Sequence, residues 1–270
     1  MPPPLIDVAG VTDAGTVRQY NEDTIACDAA TGVMALADGM GGHRSGEVAS
    51  RMAVDVVVGD LAGALADLPA AADPEALAAA VNACMIRANA VVHAAAQASA
   101  VHYGMGTTLA LAVFRGDRVV LAHVGDSRIY RLRFNRLQLL TRDDSLLRDQ
   151  IDLGYIAAAE AVGTHNRNLV TRAVGIGAEV VPHLRDEAAL PGDLYLLCSD
   201  GLNDLVDDAD IELVLQTVRA NVPLAAQLLV QAAKDNGGLD NVSVIVVRVD
   251  DRVAGAAHPS WWRRLLAWLR

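Results

Sequence analysis

Apolar runs in this chain fall into hairpin-like clusters, and its helical stretches come in pairs. Strand patterns cover Leu5–Val11, Thr24–Cys27 and Val33–Ala37, with a Thr31-Gly32 turn between the last two. The third run is expected to stop at Asp38-Gly39-Met40-Gly41-Gly42, where glycine is too dense for regular backbone. Two helices follow, one from Ser45 toward Leu65 and one from Asp73-Pro74, with Asp as N-cap and Pro at the first helical position. On the second, Leu77, Val81, Cys84, Ala88, Val91 and Ala95 recur at three- and four-residue steps as one buried face. Strands then return at Thr107–Phe114 and Arg118–Val124 about Gly116-Asp117, and at Arg128–Arg133 and Leu137–Leu140 about Asn135. Beyond a polar stretch over 141–171 come a buried strand at Leu194–Cys198, helices over Asp208–Val218 and Pro223–Lys234, and a strand at Val242–Val249. This order is not βαβ alternation. It predicts an α+β layered fold with antiparallel sheets.

Composition narrows the function classes. With 53% apolar residues in 270, the chain can bury a large core, which excludes wholesale disorder. A formal net charge of −11 repels phosphate backbones and argues against general nucleic-acid binding. Cys27, Cys84 and Cys198 form no CxxC pair, so neither a disulfide framework nor a zinc knuckle is expected. The N-terminal MPPPLIDVAG lacks the pattern of a secretory signal, and no long uncharged apolar window reads as a membrane span. A cytoplasmic protein is the expectation.

Acidic residues sit repeatedly where apolar runs end. They occur at Leu36-Ala37-Asp38-Gly39, Val124-Gly125-Asp126 and Leu197-Cys198-Ser199-Asp200-Gly201, while Asp240-Asn241 and Asn21-Glu22-Asp23 directly precede strands. Any one of these alone is ordinary turn chemistry. Five at strand ends of one layered core can converge on one rim, where ionised carboxylates repel one another unless a cation sits among them. Oxygen donors without a His/Cys ligand pattern suit a hard cation, Mg²⁺ or Mn²⁺.

These motifs resemble the metal-dependent protein phosphatase family (type 2C) in its stand-alone bacterial form. The matching runs are Gly15-Thr16-Val17-Arg18-Gln19-Tyr20-Asn21-Glu22-Asp23, Asp38-Gly39-Met40-Gly41-Gly42-His43, Gly106-Thr107-Thr108 and Val124-Gly125-Asp126-Ser127-Arg128. They continue with Leu140-Thr141-Arg142-Asp143, Asn168-Leu169-Val170-Thr171-Arg172-Ala173-Val174-Gly175, Cys198-Ser199-Asp200-Gly201-Leu202 and Gly238-Leu239-Asp240-Asn241-Val242-Ser243. The resemblance implies an αββα sandwich of two antiparallel sheets flanked by helix pairs, with a flap near 141–171. It implies two Mn²⁺ or Mg²⁺ ions and room for a weaker third. Asp38 would bridge the pair, Glu22 and the Gly39 carbonyl would complete one shell, and Asp200 and Asp240 would hold the other ion. Asp126 and Asp204 match the third-ion positions. Asp23 would orient the attacking water, Arg18 would grip the substrate phosphate, and Asn241 would support the shell.

The implied reaction is hydrolysis of phosphoserine and phosphothreonine in proteins by a metal-bridging hydroxide, reversing a Hanks-type Ser/Thr kinase. The residues agree that no thiolate nucleophile is used: Val33, Ala90 and Asp204 stand six positions after the cysteines, where a phosphate-cradling Arg would be needed. His43 lies three positions from where the family's general-acid histidine stands, which favours a loop role. His123 and Asp144 depart from the family's usual Asn and His. Within the flap, His165 and Arg167 are candidates for substrate contact. The Arg131/Arg133/Arg136 group reads as a solvated hairpin face. A catalytically inactive phosphoprotein-binding relative, or a phosphatase of other phosphate esters, is the alternative.

The phosphatase domain is expected over 1–251, with a linker and tail over 252–270. In the tail Trp261, Trp262, Leu265, Leu266 and Leu269 share one helical face, and Arg263, Arg264 and Arg270 lie on the other. Such a helix would dock on the protein's own surface, or anchor it to a partner or to anionic lipid.

Overall fold

The computed structural model describes residues 6–42, 44–68, 74–156 and 169–250. Its strands are β1 (Ile6–Asp13), β2 (Asp23–Asp28), β3 (Val33–Met40), β4 (Gly106–Thr107), β5 (Leu109–Arg115), β6 (Arg118–Val124), β7 (Arg128–Arg133), β8 (Arg136–Leu139), β9 (His183–Ala188), β10 (Leu194–Cys198) and β11 (Val242–Val249). Its helices are α1 (Ser45–Asp67), α2 (Pro74–Ala98), α3 (Leu146–Asp152), α4 (Asp200–Asn203), α5 (Asp208–Thr217) and α6 (Val222–Asp235). One antiparallel sheet runs β1-β11-β10-β7-β8; the other runs β2-β3-β5-β6-β9, with β4 paired to β3.

Three apolar layers hold four structural layers together. Met34, Leu36, Phe114, Leu121, Tyr195, Leu197 and Ile245 fill the space between the sheets. Val57, Leu61, Val81, Met85 and Val92 press α1 and α2 onto the second sheet. Ile211, Leu215, Ala226 and Leu229 press α5 and α6 onto the first. The result is the expected αββα sandwich. By length and composition α2 is apolar enough to cross a membrane, yet its buried residues face the β-sheet core.

Several expectations need correction. β3 does not stop at Asp38: it runs on to Met40, because Gly39 and Met40 pair with Thr107 and Gly106 of β4. Glycine at 39 serves close approach, since a Cβ there would lie 2.1 Å from the Gly46 carbonyl oxygen. The buried face of α2 shifts at its end from Val91 and Ala95 to Val92 and Ala96, the drift of a 3.6-residue turn. The polar 141–171 stretch contains a helix: Ser145 caps α3, accepting from the Arg148 N–H at 3.2 Å. Strand β9 carried no apolar alternation and pairs with β6 at the sheet edge. Arg131 and Arg133 are not solvated. They pair with Glu187 at 2.8 Å and Asp193 at 2.6 Å, and Arg136 alone of that group is exposed. Helix α2 begins at Pro74; the Asp73 cap, His43, His165, Arg167 and the 252–270 tail with Trp261, Trp262, Arg263 and Arg264 lie outside the described residues.

Candidate active site

The two sheets bring their acid-bearing strand ends to one rim. Asp23 opens β2 directly opposite Asp38 in β3. Asp126 follows β6, Asp200 follows β10, and Asp240 precedes β11. Arg18, Glu22, Asp38, Gly39, Asp126, Asp200, Asp240 and Asn241 line one cleft of about 780 Å³. Asp204 lines an adjoining cleft of about 310 Å³, which shares Asp126 and Asp200 with the first. Asp23 is buried beside Asp38 and lines neither cleft.

Hydroxyl and amide groups hold these acids in place. The Asp38 N–H donates to Thr108 Oγ1 at 2.9 Å, and the Asp38 carbonyl accepts from the Thr108 N–H and Thr107 Oγ1, each at 2.9 Å. The Ser199 hydroxyl donates to Asp23 Oδ2 at 3.0 Å. Asn241 is the hub of the opposite side: its Oδ1 accepts from the Glu22 N–H at 2.8 Å, and its Nδ2 donates to the Ala14 and Tyr20 carbonyls. The Arg18 loop is clamped to the β11 approach by the Thr16 N–H to Gly238 carbonyl bond at 2.8 Å. Gly15 makes that approach feasible, with φ +77° and the Asp240 carbonyl 2.2 Å from where a Cβ would stand. Arg18 itself reaches Asp240 Oδ2 at 2.7 Å.

Sequence reasoning gave Thr108, Ser199 and Arg44 no role. The signal for Ser199 was a hydroxyl beside Asp200 in its motif, and for Thr108 the Gly106-Thr107-Thr108 run itself. Arg44 takes a left-handed φ of 67° at the lip of the cleft and lies over the Tyr20 ring at 4.5 Å; nothing in its local sequence announced that pose.

The electrostatics are those of an uncompensated acid cluster. Burial, then Asp23, Asp200, Asp126 and Asp240, push the Asp38 carboxyl well above its ordinary range. Burial and the nearby Asp126, Asp204, Asp240 and Asp23 push Asp200 up to about 8. Burial raises Asp23 and Asp126 to about 6 each, and raises Glu22 as well. Two carboxylate oxygens, Asp23 Oδ1 and Asp200 Oδ1, are buried without a hydrogen-bond partner. Buried acceptors of this kind cost free energy unless something positive meets them. Among the described residues no three side chains already form a finished coordination shell. The oxygen-only donor set, its mutual repulsion and its orphaned oxygens nevertheless fit hard divalent cations.

A model of the family described as protein phosphatase 2C matches residues 14–233. The chain belongs to the protein phosphatase 2C family. It is 40% identical over 255 residues to the serine/threonine protein phosphatase PstP of Mycobacterium tuberculosis, covering 94% of this chain but 47% of that one. It thus spans about half the length of that relative. It is 33% identical to the serine/threonine phosphatase stp of Listeria monocytogenes, covering 88% of this chain and 94% of that one. The crystal structure of the PstP catalytic domain in complex with two manganese ions superposes with a TM-score of 0.77 at 40% identity, covering 91% of this chain and 99% of that one. The phosphatase 2C architecture therefore holds across the two sheets and their helix pairs.

Proposed function

We propose that this chain is a Mn²⁺- or Mg²⁺-dependent protein phosphatase acting on phosphoserine and phosphothreonine. The observation that carries the reading is the buried acid cluster at the sheet rim, in a chain of the phosphatase 2C family. Its similarity to PstP, whose catalytic domain holds two manganese ions, supports the choice of metal and the count of two. When bound, such ions acidify water and neutralise phosphate charge.

The chain's own residues divide the remaining work. Asp38, Glu22 and the Gly39 carbonyl would hold one ion, and Asp38, Asp200 and Asp240 the other, with Asp126 and Asp204 for a weaker third. Arg18 is more than half exposed at the cleft and offers a planar, bidentate grip on phosphate oxygens once it leaves Asp240. Asp23 keeps Oδ2 on Ser199 and leaves Oδ1 unpartnered, and Oδ1 is the atom through which it would orient the attacking water. Asn241 positions Glu22 and the Arg18 loop through one side chain. A phosphoserine or phosphothreonine ester is made by a Ser/Thr protein kinase, so a phosphoprotein and such a kinase are the partners this reaction requires.

Hydrolysis of p-nitrophenyl phosphate and a phosphothreonine peptide, with Mn²⁺, with EDTA and in Asp200→Asn, tests the reading. Mn²⁺-dependent activity on both, lost with EDTA and in the variant, is the expected result. No activity on either from folded, Mn²⁺-supplied protein would replace it with phosphoprotein binding. Activity on small esters alone would reassign the substrate class.

A further inference from the structure

One buried carboxylate beside the cleft belongs to none of the three candidate ion shells. Asp144 is fully buried, and each of its polar groups is engaged. Its Oδ2 accepts from the Gly125 N–H at 3.1 Å, and its own N–H donates to the Gly125 carbonyl at 3.0 Å. Its Oδ1 accepts from the Arg172 guanidinium and lies 3.1 Å from His183 Nε2. Its carbonyl accepts from the Thr171 N–H at 2.8 Å. One residue joins the turn after β6, the start and the returning limb of the 141–171 segment, and edge strand β9.

We propose that Asp144 is a positioning residue that sets the turn bearing Asp126 and the cleft wall formed by Leu169 and Val170. Its kinetic consequences rest on the phosphatase reading; its structural ones do not. Gly125 has φ +102°, and a Cβ there would lie 2.7 Å from Thr108, so the turn is already pressed against that residue. Thr108 in turn binds the Asp38 N–H at 2.9 Å and Ser127 Oγ at 2.7 Å. Asp126 therefore sits on a turn gripped from one side through Asp38's neighbour and from the other by Asp144. The wall hangs from the same point. Ser145 bridges Val170, and the Leu146 N–H donates to the Leu169 carbonyl at 2.9 Å. Past that point the limb has a separate anchor, since the Gly175 N–H donates to Asn89 Oδ1 at 2.8 Å and His93 Nδ1 meets the Gly175 carbonyl at 2.9 Å. Residues 169–172 lie short of that anchor, held by Asp144, by its neighbours Ser145 and Leu146, and by the Thr171 hydroxyl, which donates to Asp149 Oδ2 at 3.3 Å.

The role requires a charge as well as an acceptor. An amide could still accept from the Gly125 N–H, but it would leave the Arg172 cation without its counter-charge. His183, stacked on His123 at 4.8 Å, adds a second nitrogen at the same oxygen. Asp144→Asn is therefore the discriminating change, and Arg172→Gln, at a half-exposed position, is its milder partner.

The experiment is Mn²⁺ titration calorimetry and amide hydrogen exchange on the full chain, wild type and both variants, with kinetics on a phosphothreonine peptide. Expected for folded Asp144→Asn are Mn²⁺ binding weakened about tenfold, faster exchange confined to peptides covering 124–128 and 169–172, and a KM for the peptide that rises more than kcat falls. Arg172→Gln should show the same pattern at smaller amplitude, and decides the matter if Asp144→Asn does not fold. Unchanged Mn²⁺ affinity with exchange unchanged, or raised uniformly across the sheets, overturns the proposal and leaves Asp144 a stability residue. If the wild type hydrolyses neither substrate, the phosphatase reading fails, while the exchange pattern still decides the role of Asp144.

Discussion

Two sets of acids share this molecule, and they are solved in opposite ways. Along the hairpin of β7 and β8 and its neighbours, three inward acids meet arginines. Asp193, almost wholly buried, takes Arg133 on both oxygens at 2.8 and 2.6 Å and accepts from the Leu190 N–H as well. Asp143 takes Arg128 at 2.6 Å, and Glu187 takes Arg131 at 2.8 Å and the Tyr195 hydroxyl at 3.0 Å. At the cleft, Asp23 is buried and Asp38 and Asp200 are half-buried, yet serine and threonine hydroxyls and backbone amides are what Asp23 and Asp38 meet, and Arg18 reaches Asp240 alone. A chain with arginine to spare for its structural acids has left its cleft acids for a cation from outside. Burial by itself does not mark a functional carboxylate; burial without a counter-charge does.

The sharpest way to break that contrast is Asp200→Asn. In the proposed role, the loss of one anionic ligand should lower kcat by about a thousandfold or more, read with p-nitrophenyl phosphate at saturating Mn²⁺. The same variant, stripped of metal at pH 8, should melt higher than the wild type, because the amide has no charge to bury. A lower melting temperature would show that Asp200 already has its counter-charge within the fold. Next in size is Arg18→Ala. Losing a charge-assisted grip worth ~1.5–3 kcal/mol should raise KM by roughly ten- to a hundredfold and leave Mn²⁺ affinity near that of the wild type. A fall in kcat at constant KM would place Arg18 on the transition state alone.

How much of this was legible follows from how local each feature is. Acids at Asp38, Asp126 and Asp200 stood out because each ends an apolar run, a pattern read over five residues; their meeting at one rim follows once the strands are stacked in two antiparallel sheets. The helix pairs were equally local, carried by the Leu77–Val81–Cys84 spacing and by Pro223 at the head of α6. What escaped depends on distant partners. β9 reads His-Leu-Arg-Asp-Glu-Ala, with its charges explained by Arg118, Arg131 and the hairpin beyond. The arginines of β7 looked solvated because their partners lie more than fifty residues away. Asp144 was visible as a departure from a familiar motif, but its link to Gly125, Arg172 and His183 exists in the folded chain alone.

The converse of Asp200→Asn is Asp193→Asn. Here the charge is already matched, so removing it leaves Arg133 partly buried without its partner. The variant should lose about 2–3 kcal/mol in urea unfolding while its Mn²⁺-dependent activity stays near that of the wild type. Equal loss of activity and stability would mean that the arginine network reaches the cleft.

The last test is a slope in pH, whose sign reports whether the cleft acids are held as anions by the fold itself. In the metal-free protein Asp23 and Asp126 sit at about 6 and Asp200 at about 8, above the ~3.9 of an unfolded Asp. Between those limits the folded state binds more protons than the unfolded state, so stability must fall as pH rises. It is fully present below about 4 and is lost through 6 to 8. Paired acids behave oppositely and in another window: Asp13 beside Lys234 and Asp149 beside Arg142 lie below their ordinary value, so their contribution is lost only as pH falls below about 4. Melting curves in EDTA from pH 4.5 to 8.5 should therefore slope downward. Saturating Mn²⁺ should flatten or reverse the slope, because the ion binds the deprotonated acids and gains affinity as they ionise. An upward slope in EDTA would mean that the cleft carboxylates are already stabilised as anions, and the contrast between the two sets would collapse.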